Sequence, residues 1–234
     1  MTFFSKEIKF GIPFEIMLAS KKRLSLKLLK KVKFKIMKKV FLGLGIVLGT
    51  MAFAQSTAGP RFGIKAGGNL SDLANSDAKS KIGFYAGAFM NAPISAEFSI
   101  QPEVVYSQQG AKFGNSSFEG ITTQDPKLNL GYINVPVMVQ YNATPDFYLE
   151  AGPEFGFMVD AKLKGKVNGS TQTADVKDGF NTFNFGMGLG AGYRFTPNIS
   201  INARYTAGFT NIVKNNGGDS VRNNNFQLGL GYTF

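Results

Sequence analysis

Apolar side chains take every second position at the carboxyl-terminal end of the chain. Phe226, Leu228, Leu230, Tyr232 and Phe234 alternate with Gln227, Gly229, Gly231 and Thr233, the period-two signature of a strand with one greasy face and one small or polar face. A lipid bilayer would cover such a greasy face. Alternation ending on Phe is what the closing strand of a bacterial outer-membrane barrel presents, where lipid-facing and interior residues alternate.

The same pattern recurs upstream in seven segments, Phe62–Asn69, Lys81–Asn91, Glu97–Gln109, Leu128–Tyr141, Phe147–Asp160, Asn181–Phe195 and Ile199–Ile212. In the second, both faces are apolar, and the pattern leaves the register open. Pro102 in the third removes a ladder hydrogen bond, which argues for an edge strand. In the fourth, Ile133, Val135, Val137, Val139 and Tyr141 hold the odd positions, while Leu128, Leu130 and Tyr132 hold the even ones; a bulge near Tyr132 would reconcile the two. Short links at 92–96, 142–146 and 196–198 alternate with long polar ones at 70–80, 110–127, 161–180 and 213–225, the rhythm of periplasmic turns and outer loops. Tyr141, Phe147, Tyr193, Phe195, Tyr232 and Phe234 all lie beside the short links and read as an interfacial aromatic girdle. The expectation is an all-β fold, an eight-stranded antiparallel up-and-down transmembrane β-barrel in the cell outer membrane.

Charge then divides the chain. Residues 1–54 hold 12 of the 26 Lys and Arg but only Glu7 and Glu15 of the 15 acids, which leaves 14 basic against 13 acidic residues in 55–234. Of the excess of +11, +10 therefore belongs to a leader and not to a nucleic-acid-binding face. Met37-Lys38-Lys39, the apolar stretch Val40–Met51 and the small residues Ala52 and Ala54 before Gln55 have the three parts of a cleavable signal peptide. The apolar run is shorter than the ~20 residues a spanning helix needs. Residues 1–36 are an unusual preface to an export signal. The reading is that Met37 is the true start and 1–36 an upstream extension, with a basic amphipathic helix over 21–36 as the alternative. The domains are thus 1–36, the signal peptide 37–54 and the barrel 55–234.

The chain has no Cys and no His, which removes disulfides, thiolate sites and the usual general base. Glu150 and Glu154 are the obvious carboxylate pair, but on one strand they lie about 13 Å apart, too far for the usual acid and base. The glycines of GMGLGAG at 186–192 recur at every second position with no helix after them, so they are inward-facing small residues and not a phosphate loop. No enzyme, cofactor or metal site is expected. Alternation turns Lys65, Arg194 and Arg204 inward together with Glu103, Glu150 and Glu154. An eight-stranded interior is just wide enough for side chains, so these six are expected to pair as a salt-bridged plug; a gated ion path is the alternative. The loops are rich in Asn, Ser, Gly and Lys, with Phe113, Phe118 and Phe180 as their few aromatic anchors.

The segments FGIKAGGNLSDL, FSIQPEVVYSQQG, INVPVMVQY, FYLEAGPEFGF, GAGYRF, ISINARYTAGFTNI and FQLGLGYTF resemble the PorT-like outer-membrane β-barrel domain family common in Bacteroidetes, over Arg61 to Phe234. The resemblance implies a non-enzymatic barrel with a structural or surface-interaction role. It also implies, through the family's founding member, an accessory role in a protein secretion or gliding apparatus; a small pore is the third reading. Tyr232 and Phe234 resemble the signal read by the barrel-insertion machinery. The expected partners are outer-membrane lipid, that machinery and an envelope or secretion-apparatus protein, with the barrel itself a monomer.

Overall fold

The computed structural model describes residues 59–234 apart from 77, 119–120, 168 and 215–219. The expected upstream extension, the expected signal peptide and its expected cleavage residues Ala52, Ala54 and Gln55 lie outside the described residues. Ten strands follow in order: β1 (Arg61–Ala74), β2 (Lys79–Pro93), β3 (Phe98–Lys112), β4 (Ser116–Phe118), β5 (Ile121–Asn142), β6 (Phe147–Val167), β7 (Ser170–Asp175), β8 (Phe183–Arg194), β9 (Ile199–Gly208) and β10 (Arg222–Thr233). Eight of them form a ring in the order β1, β2, β3, β5, β6, β8, β9, β10, and β10 pairs back onto β1 to close it. Every pairing is antiparallel. Closure removes the free edges that an open sheet must protect.

The three short turns share one construction. The hydroxyls of Ser95, Thr144 and Thr196 each accept two backbone N–H groups, from Glu97 and Phe98, Asp146 and Phe147, and Asn198 and Ile199 respectively. A hydroxyl in that place satisfies donors that a tight reversal leaves without partners.

Pro102 does not mark an edge. β3 is flanked by β2 and β5, and the β2–β3 ladder is interrupted between Phe89↔Glu103 and Ala92↔Ile100 without a change of register. The missing N–H falls in that interruption, so the proline is accommodated inside a closed wall.

The fourth predicted strand holds a larger surprise. A register shift does occur between Gly131 and Tyr132 in the β5–β6 ladder. However, β5 keeps one constant register against β3 throughout, so its inside and outside faces never exchange. What changes face is the apolar set. Below Tyr132 the apolar residues of β5 point outward; from Tyr132 upward, Leu128, Leu130 and Tyr132 point inward and are buried. They join Leu73, Ala111, Met158, Ala161, Phe180, Ile212 and Val221 in a hydrophobic core inside the long-loop end of the ring. Phe180, expected to stand on a loop surface, is thus part of the core, and Phe113 packs half-buried against it.

β5 and β6 are 22 and 21 residues long, far more than the 9–11 a bilayer crossing takes. Much of the polar sequence read as loops at 110–127 and 161–180 is strand. With β4 paired to β5 and β7 paired to β6, these strands carry a four-stranded sheet beyond the ring at its long-loop end.

Candidate functional site

The outer wall and the interior divide the chemistry between them. Outward side chains form an apolar belt that includes Ile64, Ile82, Leu149, Leu189, Leu228 and Leu230, all exposed. Aromatic residues border it at the short-turn end, where Phe98 lies 5.3 Å from Tyr141, Tyr193 5.4 Å from Phe195 and Tyr232 5.7 Å from Phe234. A second aromatic layer, with Phe84 beside Tyr106 and Phe157 beside Phe183, borders it towards the long loops. Between Phe147 and Phe157 the strand advances about 33 Å, or about 25 Å along the axis at a ~40° tilt, the height of an outer-membrane belt. An apolar band of this extent needs a lipid solvent.

Inside, four charged side chains from four different strands meet. Glu103 of β3 accepts Lys65 Nζ on both oxygens at 3.1 Å. It also accepts a fork from Arg204, Nη2 at 2.7 Å and Nη1 at 3.1 Å. Arg204 Nε donates to Glu150 at 2.7 Å. Gln101 completes the shell of Glu103 at 2.9 Å, and Gln140 that of Glu150 at 3.1 Å. All four charged side chains are 0–3 % exposed, and two cations face two anions. Desolvating an ion costs several kcal/mol, and only close geometry with all lone pairs and protons engaged recovers it. A polar ladder extends from this cluster towards the short turns, since Asn91 Nδ2 donates to Gln140 at 2.8 Å and to Gln101 and Ser99 at 3.2 Å.

Glycines set the reach of these side chains. Glu150, Gly190 and Arg204 stand in one cross-strand row over β6, β8 and β9, with the glycine in the middle. A Cβ on Gly190 would lie 3.0 Å from Glu150 Oε1 and 2.6 Å from the Ala203 carbonyl oxygen. Its absence lets the guanidinium cross β8. Gly87 has the corresponding place beside Lys65, which crosses β2 to reach Glu103.

Two of the six charged residues read from alternation lie apart from this cluster. Glu154 is buried, but it accepts hydrogen bonds from neutral donors, Asn134 Nδ2 at 2.7 Å and Thr206 Oγ1 at 3.1 Å; no ion pair with it is formed among the described residues. Arg194 is not a member either. At the end of β8, about 13 Å along the strand from the Gly190 row, its guanidinium donates to Asn142 Oδ1 at 2.9 Å and to the Pro145 carbonyl at 3.2 Å. It stacks 4.6 Å over the Tyr148 ring. Parity turned it inward, but its height placed it at the rim. Arg194, Arg61 and Asn198 border a recess of about 50 Å³ at this end that reaches Lys65, Gln101 and Gln140. The charged cluster and the apolar core lie in the interior beyond.

Sequence reasoning also passed over Lys81, a buried cation whose Nζ donates to the Gln109 carbonyl at 3.3 Å. The ambiguous register of the second segment concealed it. Asn223 hydrogen-bonds Gln109 in the same layer. Among the described residues no group of His, Cys, Asp and Glu is placed to hold a metal ion.

Tyr232 and Phe234 project from the closing strand onto the outer wall, and Phe234 N donates to the Phe62 carbonyl at 2.8 Å. That bond ties the last residue to the first strand at the barrel seam. Deleting Phe234 is expected to lower the amount of inserted barrel while leaving the fold of inserted molecules unchanged, read as the heat-modifiable fraction on a gel of outer membranes. An unaltered inserted amount would show that the terminal aromatic has no part in assembly.

No protein of curated function matches the sequence. Among solved structures, the chain is similar to Ail, the attachment invasion locus protein of Yersinia pestis, at 17% identity over 76% of this chain and 100% of that one, with a TM-score of 0.46. It is similar to Neisserial surface protein A at 16% identity over 76% and 98%, TM-score 0.46. It is similar to OprG of Pseudomonas aeruginosa at 13% identity over 75% and 96%, TM-score 0.41. Residues 53–214 match the model of the family described as outer membrane protein beta-barrel domain, and with its closed ring and lipid-facing belt the chain belongs to that family and resides in the outer membrane.

Proposed function

We propose that the protein is a sealed, non-enzymatic barrel that serves the envelope structurally and carries a rigid sheet of strands above the outer membrane. The observation that supports this reading is the interior cluster, in which Lys65, Glu103, Glu150 and Arg204 interlock below an apolar core. An ion crossing the barrel would have to separate charge pairs that are fully desolvated and then pass Leu130, Tyr132 and Ile212, which are 0 % exposed. Neither step is compatible with a standing water path. Purified protein in planar bilayers is expected to pass almost no current. Steady conductance of the native chain would overturn the sealed reading and restore the small pore.

Within its family we place the chain with the PorT-like members, on the segments quoted above. The accessory role in secretion implied by that resemblance is separable by cross-linking in cells: secretion-apparatus proteins recovered reproducibly support it, whereas recovery of the insertion machinery alone leaves the structural role.

A further inference from the structure

Four lysines stand in a line across the outer wall, one on each of four adjacent strands. Lys79 of β2 is directly opposite Lys112 of β3, Lys112 opposite Lys127 of β5, and Lys127 opposite Lys164 of β6. Directly opposed residues share a face, with Cβ atoms about 5 Å apart, and three successive strand spacings make the row about 14 Å long. Ala111 and Leu128, next to Lys112 and Lys127, point into the barrel core, so by alternation the lysines point outward. Lys164 has Lys166 and Lys162 above and below it on the same face. Lys162 is engaged by Asp160 at 3.2 Å, but among the described residues none of the four lysines in the row forms an ion pair.

Like charges directly opposite each other destabilise a sheet, and here the arrangement occurs three times in succession. It costs the isolated protein stability, and an anion outside the wall relieves it. The position of the row identifies the kind of anion. It lies on the outer wall, beyond the apolar belt and in line with it. From Tyr106 in the upper aromatic layer to Lys112, the strand climbs about 15 Å along the axis. Phospholipid headgroups extend only about 5–8 Å beyond the hydrocarbon, which is short of the row. Phosphates carried on a sugar headgroup stand higher, and long lysine stems bend down towards them. We infer that Lys79, Lys112, Lys127 and Lys164 form a docking row for the phosphorylated sugar headgroup of an outer-leaflet glycolipid. The row goes beyond the sealed-barrel reading, since it concerns the outer wall and does not depend on what fills the interior.

The test uses the full barrel in neutral detergent, titrated with fluorescently labelled, phosphorylated rough lipopolysaccharide. The same molecule stripped of phosphate, and phosphatidylglycerol, serve as competitors. The combined K112Q/K127Q/K164Q variant is expected to bind on the order of 100-fold more weakly, at about 1 kcal/mol per lysine near an anionic surface. The native affinity is expected to fall steeply with salt. The variant with Arg at the same three positions retains binding, and K162Q, outside the row, changes it less than threefold. Since the lysines are solvated and repel one another, the Gln variant is expected to stay folded and to unfold no earlier than the native chain in neutral detergent.

Equal binding by the native and Gln variants overturns the inference. So does undiminished binding of the dephosphorylated molecule, or competition by phosphatidylglycerol as strong as by the glycolipid. Retention of a soluble sulfated polysaccharide in place of the glycolipid would also overturn it, and would give the row a soluble polyanion as its partner.

Discussion

Replacing Arg204 with Met is expected to cost about 3–5 kcal/mol of barrel stability, the usual consequence of removing one partner from a buried charge pair. Two carboxylates depend on this side chain. Glu103 would retain only Lys65 as a cation, and Glu150 would retain only the neutral amide of Gln140. Both are only 2 % exposed, so neither recovers its solvation. Restoring neutrality should restore stability: the double variant R204M/E150Q, which leaves Lys65 paired with Glu103, is expected to regain most of the loss. Glu154 supplies the internal control, since its partners are Asn134 and Thr206. Glu154→Gln removes a charge without stranding a countercharge and is expected to shift stability by less than 1 kcal/mol, the scale of a typical hydrogen bond. Urea unfolding in detergent micelles measures all three. An R204M midpoint equal to that of the native chain would mean that the cluster contributes nothing to holding the barrel.

Why this cluster was readable in outline but not in membership follows from what alternation carries. Period two reports which face a residue is on. It does not report height, so Arg194 and Arg204 looked equivalent although one caps the rim and the other sits at the centre. Alternation also identifies the outward face only where that face is apolar. Leu128, Leu130 and Tyr132 kept their inward direction while the solvent outside changed from lipid to water, and the pattern appeared to slip. The strands above the belt were missed for a related reason. Where both faces are polar, as in Ser170 to Asp175, no alternation remains to find, and only cross-strand hydrogen bonding reveals the sheet. The lysine row was hidden in the same way, because its members are 15 to 37 positions apart in sequence and become neighbours only through register.

Gly190 shows the other kind of information that one strand cannot hold. In sequence it is one of several glycines at even positions of β8, with nothing to distinguish it. In the ring it is the gap through which Arg204 reaches Glu150. Gly190→Val is therefore expected to be among the most damaging single substitutions in the barrel, although it adds only apolar volume at a site with no side chain. Two costs combine. The new Cβ would fall 2.6 Å from the Ala203 carbonyl oxygen and 3.0 Å from Glu150 Oε1, and overpacking of this kind costs about 1–3 kcal/mol. The branched side chain would also stand between guanidinium and carboxylate, so that Glu150 loses its cation and bears part of the penalty expected for R204M. A loss of about 3 kcal/mol or more follows, seen as a lowered urea midpoint of the refolded barrel. The decisive comparison is G190V/E150Q, which keeps the crowding but removes the stranded charge. It is expected to recover part of the loss, leaving the overpacking cost alone. If G190V/E150Q is no more stable than G190V, the glycine serves backbone packing only, and the path of Arg204 across β8 has no energetic weight.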